Sequence, residues 1–299
     1  MFAVQYDRFG PPEVLSVGPF AEPHAGPGEV RVRVEAAGIS PVDGLLRAGG
    51  SPFATQLALP HIPGVDAAGV VDQVGAEAAG VAVGDEVFGS VDIARLGGAS
   101  AEYAVLRFWA RKPKAMSWAA AAAGGTSIET ATRVLDLLDL RPGMILLIDG
   151  AAGGVGSVAV QLAIARGVRV VGTAGAANQD FLAALGATPT TYGPGLPDRV
   201  PAADRALDIA GKGSLPELIQ LTGTPASVVT IADFTATQYG VRLSTGEPNG
   251  RHGLAVAAAL FEQGRFHVPV QQTFAMGDAA RAHAFLASGP RRGKLVLEN

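Results

Sequence analysis

The chain has 299 residues, 48% hydrophobic and 17% charged, with a formal net charge of −4, a balance that excludes disorder and allows a sizeable buried core. No basic face or Lys/Arg run appears beyond Arg291-Arg292 with Lys294, so the charge offers no nucleic-acid surface. Cysteine is absent, which excludes disulfides, thiolate catalysis and cysteine-ligated zinc.

The opening, MFAVQYDRFG, has no basic segment followed by an apolar one, and no stretch approaches the roughly 20 apolar residues that span a bilayer. A soluble, cytoplasmic protein without a membrane partner is the expectation. The high counts of Gly (40) and Pro (20) indicate many tight turns. In Val30-Arg-Val-Arg-Val-Glu35 valines and charges alternate with the period of a half-buried strand. Residues 69–75 and 84–89 read as further short strands with glycine punctuation. Residues 1–120 are therefore expected to form a partly closed antiparallel barrel.

Near residue 117 the character changes. Ser117 is placed to cap a helix through the alanine run 119–123, residues 128–140 carry a second helical pattern, and Pro142-Gly143 ends it. Met144-Ile-Leu-Leu-Ile148 then reads as a buried parallel strand. Strands and helices alternate from there: helix 155–166, strand 168–173, a helix about 178–185, and shorter strands near 190–192, 205–209 and 227–232. This is the α/β doubly wound pattern, expected over residues 121–262. Residues 240–246 offer one more strand at the far edge, where two-fold pairing would join two copies as a homodimer. Beyond 262 come a strand at 266–270, a helix at 278–287 and a last strand at 294–297. So short a terminal strand needs an existing sheet, so residues 263–299 are expected to complete the first domain.

The most informative segment is Gly150-Ala-Ala-Gly-Gly-Val-Gly156, entered from an apolar strand and left through a helix. Ala151 stands at the first glycine of the usual G-x-G-x-x-G, while Gly153 and Gly156 keep the second and third places. Gly153 lets the backbone approach a pyrophosphate, Gly156 permits close helix–strand packing, and the helix start at Gly154 and Val155 offers N–H groups to phosphate. Gly150 belongs to the same loop. The second strand ends in Thr173, Ala174 and Gly175, followed by Asn178, with no carboxylate for the adenosine ribose. That absence favours NADPH/NADP+ over NAD. Asn178 either joins the ribose site or caps the following helix, and Tyr192 either meets the adenine edge or packs in the sheet.

At this point the chain resembles the medium-chain dehydrogenase/reductase superfamily, in its zinc-free quinone oxidoreductase (zeta-crystallin-like) branch. The resemblance rests on Gly38-Ile-Ser-Pro-Val-Asp43, Leu59-Pro-His-Ile-Pro-Gly-Val-Asp-Ala-Ala-Gly-Val-Val71, Val83-Gly-Asp-Glu-Val-Phe-Gly89, Gly98-Ala-Ser-Ala-Glu-Tyr-Ala104, the glycine loop, and Gly293-Lys-Leu-Val-Leu297. It implies a Rossmann doubly wound sheet inserted into a GroES-like barrel, with NADP(H) in the cleft. It also implies no metal, because zinc members carry Cys in the Ser40 region and Gly-His-Glu where this chain has Gly64, Val65 and Asp66. Ser40 stands where quinone reductases usually have Asn, near the nicotinamide. Asp43 matches the family's Asn-Pro-Val-Asp segment, either orienting cofactor or substrate or bonding to nearby loop N–H groups. Thr126 matches its Ala-Gly-Leu-Thr segment, with Gly125 replacing the bulky residue.

Hydride transfer relies on the cofactor, so the protein chiefly positions an electrophilic small-molecule substrate against it. The histidines, His24, His61, His252, His267 and His283, show no ligand spacing, and no dedicated acid is evident. The expected activity is an NADPH-dependent reduction of quinones or small α,β-unsaturated carbonyls. A catalytically silent NADPH-binding sensor or structural protein is the alternative.

Overall fold

The computed structural model describes residues 1–288 and 291–299. They divide into two compact units: Met1–Thr126 with Leu254–Glu262 and Val268–Asn299, and Ser127–Gly253 with Gln263–His267. Residues 254–262, which the sequence reading puts in the second domain, cluster with the first.

The first unit is built on a seven-stranded sheet. Its main path runs Val270–Ala275, Lys294–Glu298, Val30–Ile39, Asp66–Val74, Glu86–Ser90 and Phe108–Arg111, and Tyr103–Leu106 pairs separately with Val30–Ile39. Val30, Val32 and Val34 are buried, while Arg31 between them turns outward to pair with Asp72 at 2.8 Å. Two register shifts against Asp66–Val74, at Arg31/Val32 and Val34/Ala36, bend the long strand as bulges do. Lys294–Glu298 lies between Val30–Ile39, antiparallel, and Val270–Ala275, parallel. The strand expected at 266–270 therefore begins only at Val270. Pro269 has no N–H for a ladder, and contributes its carbonyl to Lys294 N–H at 3.0 Å instead. A two-stranded ribbon of Phe2–Gln5 and Ser16–Pro19 stands apart from this sheet.

The second unit contains a six-stranded parallel sheet, its strands labelled in chain order: β1 (Ile145–Asp149), β2 (Arg169–Thr173), β3 (Thr188–Thr190), β4 (Arg205–Asp208), β5 (Val228–Thr230) and β6 (Arg242–Leu243). The spatial order β3-β2-β1-β4-β5-β6 is that of the doubly wound dinucleotide fold. Leu146, Leu147 and Ile148 on β1 are fully buried, as a central strand covered on both faces requires. The two helical patterns expected on either side of residue 125 are one helix, Trp118–Leu137. Gly124 and Gly125 do not interrupt it, because a Cβ at Gly125 would come within 2.3 Å of Gly89 O and 2.6 Å of an Asp66 carboxylate oxygen. Close packing on this helix therefore demands glycine there. Among the described residues no helix is long and apolar enough to cross a membrane.

Candidate functional site

In the second unit the chain leaves β1 at Asp149, turns through Gly150 at φ +87°, and starts the helix Gly154–Ala165. Three contacts with β2 hold the turn. Gly150 N–H donates to Thr173 Oγ1 at 3.1 Å, Ala151 N–H donates to Thr173 O at 3.0 Å, and Thr173 Oγ1 donates in turn to Asp149 Oδ1. Asp149 Oδ2 accepts from Ser214 Oγ at 2.7 Å. Thr173 is thus fully buried behind the loop and fixes its shape, with its hydroxyl already committed.

The glycines differ in what they permit. A Cβ at Gly156 would lie 2.3 Å from Gly150 O and 2.7 Å from Ala151 Cα, so the helix can sit against the loop only without one. A Cβ at Gly153 would meet only Gly150 O, at 3.6 Å, so the space over the loop is open. Gly153 is the N-cap and makes no side-chain cap bond, which leaves the first-turn N–H groups of Gly154, Val155 and Gly156 without an acceptor one turn back. These residues fit a dinucleotide pyrophosphate: donors, a positive helix end and an uncovered backbone coincide.

The loop after β4 lies alongside, where the strand order reverses. A Cβ at Gly150 would be 3.2 Å from Ala210 N. Buried Asp208 holds that second loop by accepting Ala210 N–H at 3.0 Å and Gly211 N–H at 2.9 Å, while its other oxygen accepts the Thr230 hydroxyl at 2.7 Å. In doubly wound sheets the ligand crevice forms at this reversal. Sequence reasoning did not reach Asp149, Asp208 or Ser214, because their contacts join segments far apart in the chain.

At the end of β2, Ala174 is buried and Gly175 lies beside Tyr192, whose hydroxyl would be 3.6 Å from a Cβ at Gly175. Tyr192 is 63% exposed, so its ring presents a face to solvent instead of packing into the sheet. Asn178 is the N-cap of Gln179–Ala184 but makes no side-chain cap bond. Gln179 ties the rim together, donating to Ala174 O at 2.9 Å and Thr190 O at 3.1 Å.

The other expected site residues converge in the first unit. Ser40 N–H donates to Asp43 Oδ2 at 2.7 Å at the start of the helix Pro41–Arg47. Thr126 donates both its N–H, at 2.6 Å, and its hydroxyl, at 2.7 Å, to the carboxylate of Asp66. Lys294 Nζ donates to Asp66 Oδ2 at 2.9 Å and also to Ser40 Oγ. All of this lies at the barrel's interior: Asp66 is 0% exposed, Asp43 1%, Lys294 6% and Ser40 8%. Burial pushes the Asp43 carboxyl up to about 7, against the downward pull of Ser40 N–H and of the Lys294 charge. His61 is not part of this cluster; its Nε2 lies 3.2 Å from Leu96 O and burial lowers its pKa.

Asp66 and Lys294 are the residues that sequence reading missed, although both stand inside motifs that carry the resemblance. The signal was a carboxylate where zinc members have Glu, and a lone lysine within an otherwise apolar last strand.

Two family models match: the alcohol dehydrogenase GroES-like domain over residues 26–113, and a zinc-binding dehydrogenase domain over residues 195–297. A 2-methylene-furan-3-one reductase of Solanum lycopersicum is 31% identical over 99% of this chain and 79% of its own length. The chain belongs to the medium-chain dehydrogenase/reductase superfamily, in its quinone oxidoreductase branch. The human quinone oxidoreductase is 37% identical over 58% of this chain, a stretch spanning only 53% of that protein. The quinone oxidoreductase of Coxiella burnetii has the same fold, with TM-score 0.90, 28% identity and coverage of 100% and 99% of the two chains. Membership of this branch makes the protein an oxidoreductase with a nucleotide-binding domain.

Proposed function

We propose that this quinone oxidoreductase relative transfers a hydride from NADPH to a quinone or a small α,β-unsaturated carbonyl without using zinc. The observation that carries the reading is the open phosphate cradle at Gly153–Gly156, flanked at the end of β2 by a ribose position with no carboxylate. A 2′-phosphate meets no repulsion there, whereas a ribose 2′-hydroxyl meets no acceptor of the usual kind. The names of the relatives, a furanone reductase and quinone oxidoreductases, support a conjugated carbonyl as the acceptor.

The residues present do not fit a catalytic zinc. The Lys294 ammonium is seated on both Ser40 Oγ and Asp66 Oδ2, the oxygens a metal in that region would require. A fixed cation there repels a second one. Among the described residues no group of three or more His, Cys, Asp or Glu side chains is placed to hold a metal.

The test is loss of NADPH absorbance on mixing with a panel of quinones and enones, in the presence of a strong chelator. Substrate-dependent oxidation that survives chelation is the expected result. Tight NADPH binding with no turnover on any acceptor would favour the silent alternative, and activity abolished by chelation would refute the zinc-free reading.

A further inference from the structure

Asp149, the last residue of β1, is a carboxylate only 2% exposed. Its two oxygens accept from hydroxyls and, among the described residues, from no cation: Oδ1 from Thr173, and Oδ2 from Ser214 at 2.7 Å. Burying an anion among neutral partners is costly, and a neutral side chain could tie the same segments together. What an ionised carboxylate alone does is accept at both oxygens. It therefore turns the hydrogens of both hydroxyls toward itself. With its hydrogen so directed, Thr173 Oγ1 can accept Gly150 N–H at 3.1 Å. Ser214 stands at the N-cap of the helix Leu215–Thr222 yet makes no side-chain cap bond. Its hydroxyl is drawn to Asp149 instead, although capping is serine's usual role at such a position. The backbone adds a third tie, Ile209 N–H donating to Asp149 O at 2.9 Å. One residue thus holds the glycine loop through β2 and the 209–214 loop after β4, on either side of the strand-order reversal where the crevice forms.

We infer that Asp149 is the positioning residue of the nucleotide crevice, setting the glycine loop through Thr173 and the 209–214 loop through Ser214. All of these residues belong to the second unit, and their role rests on the nucleotide site proposed above. The two arms serve different parts of a dinucleotide. The glycine loop takes the pyrophosphate and the end of β2 takes the adenosine ribose. The loop after β4, on the opposite side of β1, is left to the nicotinamide half. Asp149 acts through the two hydroxyls and exchanges no proton. Removing the Thr173 hydroxyl releases Gly150, and removing the Ser214 hydroxyl releases the later loop. Asn in place of Asp149 keeps the shape but has one acceptor oxygen, so it can hold one hydroxyl in its present direction and not both.

The test measures binding of NADPH and of 2′-phospho-ADP-ribose, which lacks the nicotinamide, to the full chain by calorimetry, with thermal melting as the check on folding. Thr173→Val is expected to weaken both ligands about tenfold, and Thr173→Ser, which restores the hydroxyl, to stay within about threefold of wild type. Ser214→Ala is expected to weaken NADPH about tenfold and to leave 2′-phospho-ADP-ribose unchanged. Asp149→Ala loses both arms, so NADPH is expected to weaken about 100-fold and 2′-phospho-ADP-ribose about tenfold, with Asp149→Asn recovering one arm. Adding Thr173→Val to Asp149→Ala is expected to cost nothing further, because the two act through one contact. A ligand-free measurement uses the Gly150 amide in 15N-glycine-labelled protein. Its hydrogen exchange is expected to quicken in Asp149→Ala and Thr173→Val and to stay unchanged in Ser214→Ala, a pattern that general loosening does not give. A folded Asp149→Ala protein with both affinities within about threefold of wild type would overturn the role. So would a Ser214→Ala protein that loses both ligands equally, and this arm stands even where the Asp149 variants fail to fold. Wild-type protein that binds neither ligand would instead remove the nucleotide site itself, and the role of Asp149 with it.

Discussion

Single atoms decide much of the nucleotide site. Gly175 has φ −62° and ψ 158°, and a Cβ there meets nothing nearer than 3.6 Å, so Gly175→Asp is accommodated without strain. Its charge is expected to weaken NADPH binding about tenfold while sparing NADH, as titration of both reduced cofactors would reveal. Gly153→Ala and Gly156→Ala separate binding from folding. The first has room for its methyl and is expected to lower NADPH affinity with an unchanged melting temperature. The second forces a methyl onto Gly150 O and is expected to cost about 1–3 kcal/mol of stability by urea unfolding. In the barrel, two buried groups oppose one another. Burial lowers His283 to about 4, so its neutral-state stability is present above its usual 6.5 and lost as pH falls toward 4. Asp43, raised to about 7 from 3.8, contributes stability below pH 3.8 that is lost as pH rises to about 7. His283→Gln is expected to weaken the first trend and Asp43→Asn the second. Each amounts to about 3 kcal/mol, at about 1.4 kcal/mol per tenfold change in proton affinity, readable by urea unfolding from pH 4 to 7.

At the scale of elements, legibility followed sequence distance. The strand, loop and helix around Gly150–Gly156 are contiguous, and their periodicities and glycines reveal them directly. Ser40 and Asp43 lie three residues apart, and their contact was one of two readings the segment left open. Lys294 reaches Asp66 across 228 residues and Ser40 across 254, and no local pattern encodes such a meeting. The joined helix Trp118–Leu137 was obscured for a related reason: Gly124-Gly125 looks like a break until Asp66 and Gly89 are seen pressed against it. The strand Lys294–Glu298 is an interior member of its sheet, with partners on both sides. Deleting residues 294–299 is therefore expected to strip two strands of their ladders and eliminate folded barrel, observed as loss of its cooperative thermal transition.

For the whole molecule we propose assembly as a homodimer through the second unit. β6 is only two residues long and among the described residues pairs with β5 alone, so its outer edge is open to pairing with a second copy. Light scattering across concentrations is expected to give twice the chain mass, with Leu243→Pro shifting it toward the monomer; a monomer throughout would refute the assembly. The placement of Lys294–Glu298 also has a consequence in time. Ser40 and its lysine partner are 254 residues apart, which at typical synthesis rates is roughly 13 to 50 s of translation. The whole nucleotide unit, Ser127–Gly253 with Gln263–His267, is made within that interval. The far end of the barrel's long strand, residues 36–39, meanwhile lacks its partner on one side, a window in which a chaperone or a neighbouring nascent chain can reach it. The Lys294 contacts to Ser40 and Asp66 come into being only with the last strand, so a ribosome that stalls late releases a chain with its nucleotide loop made and its buried Asp66 without a cation.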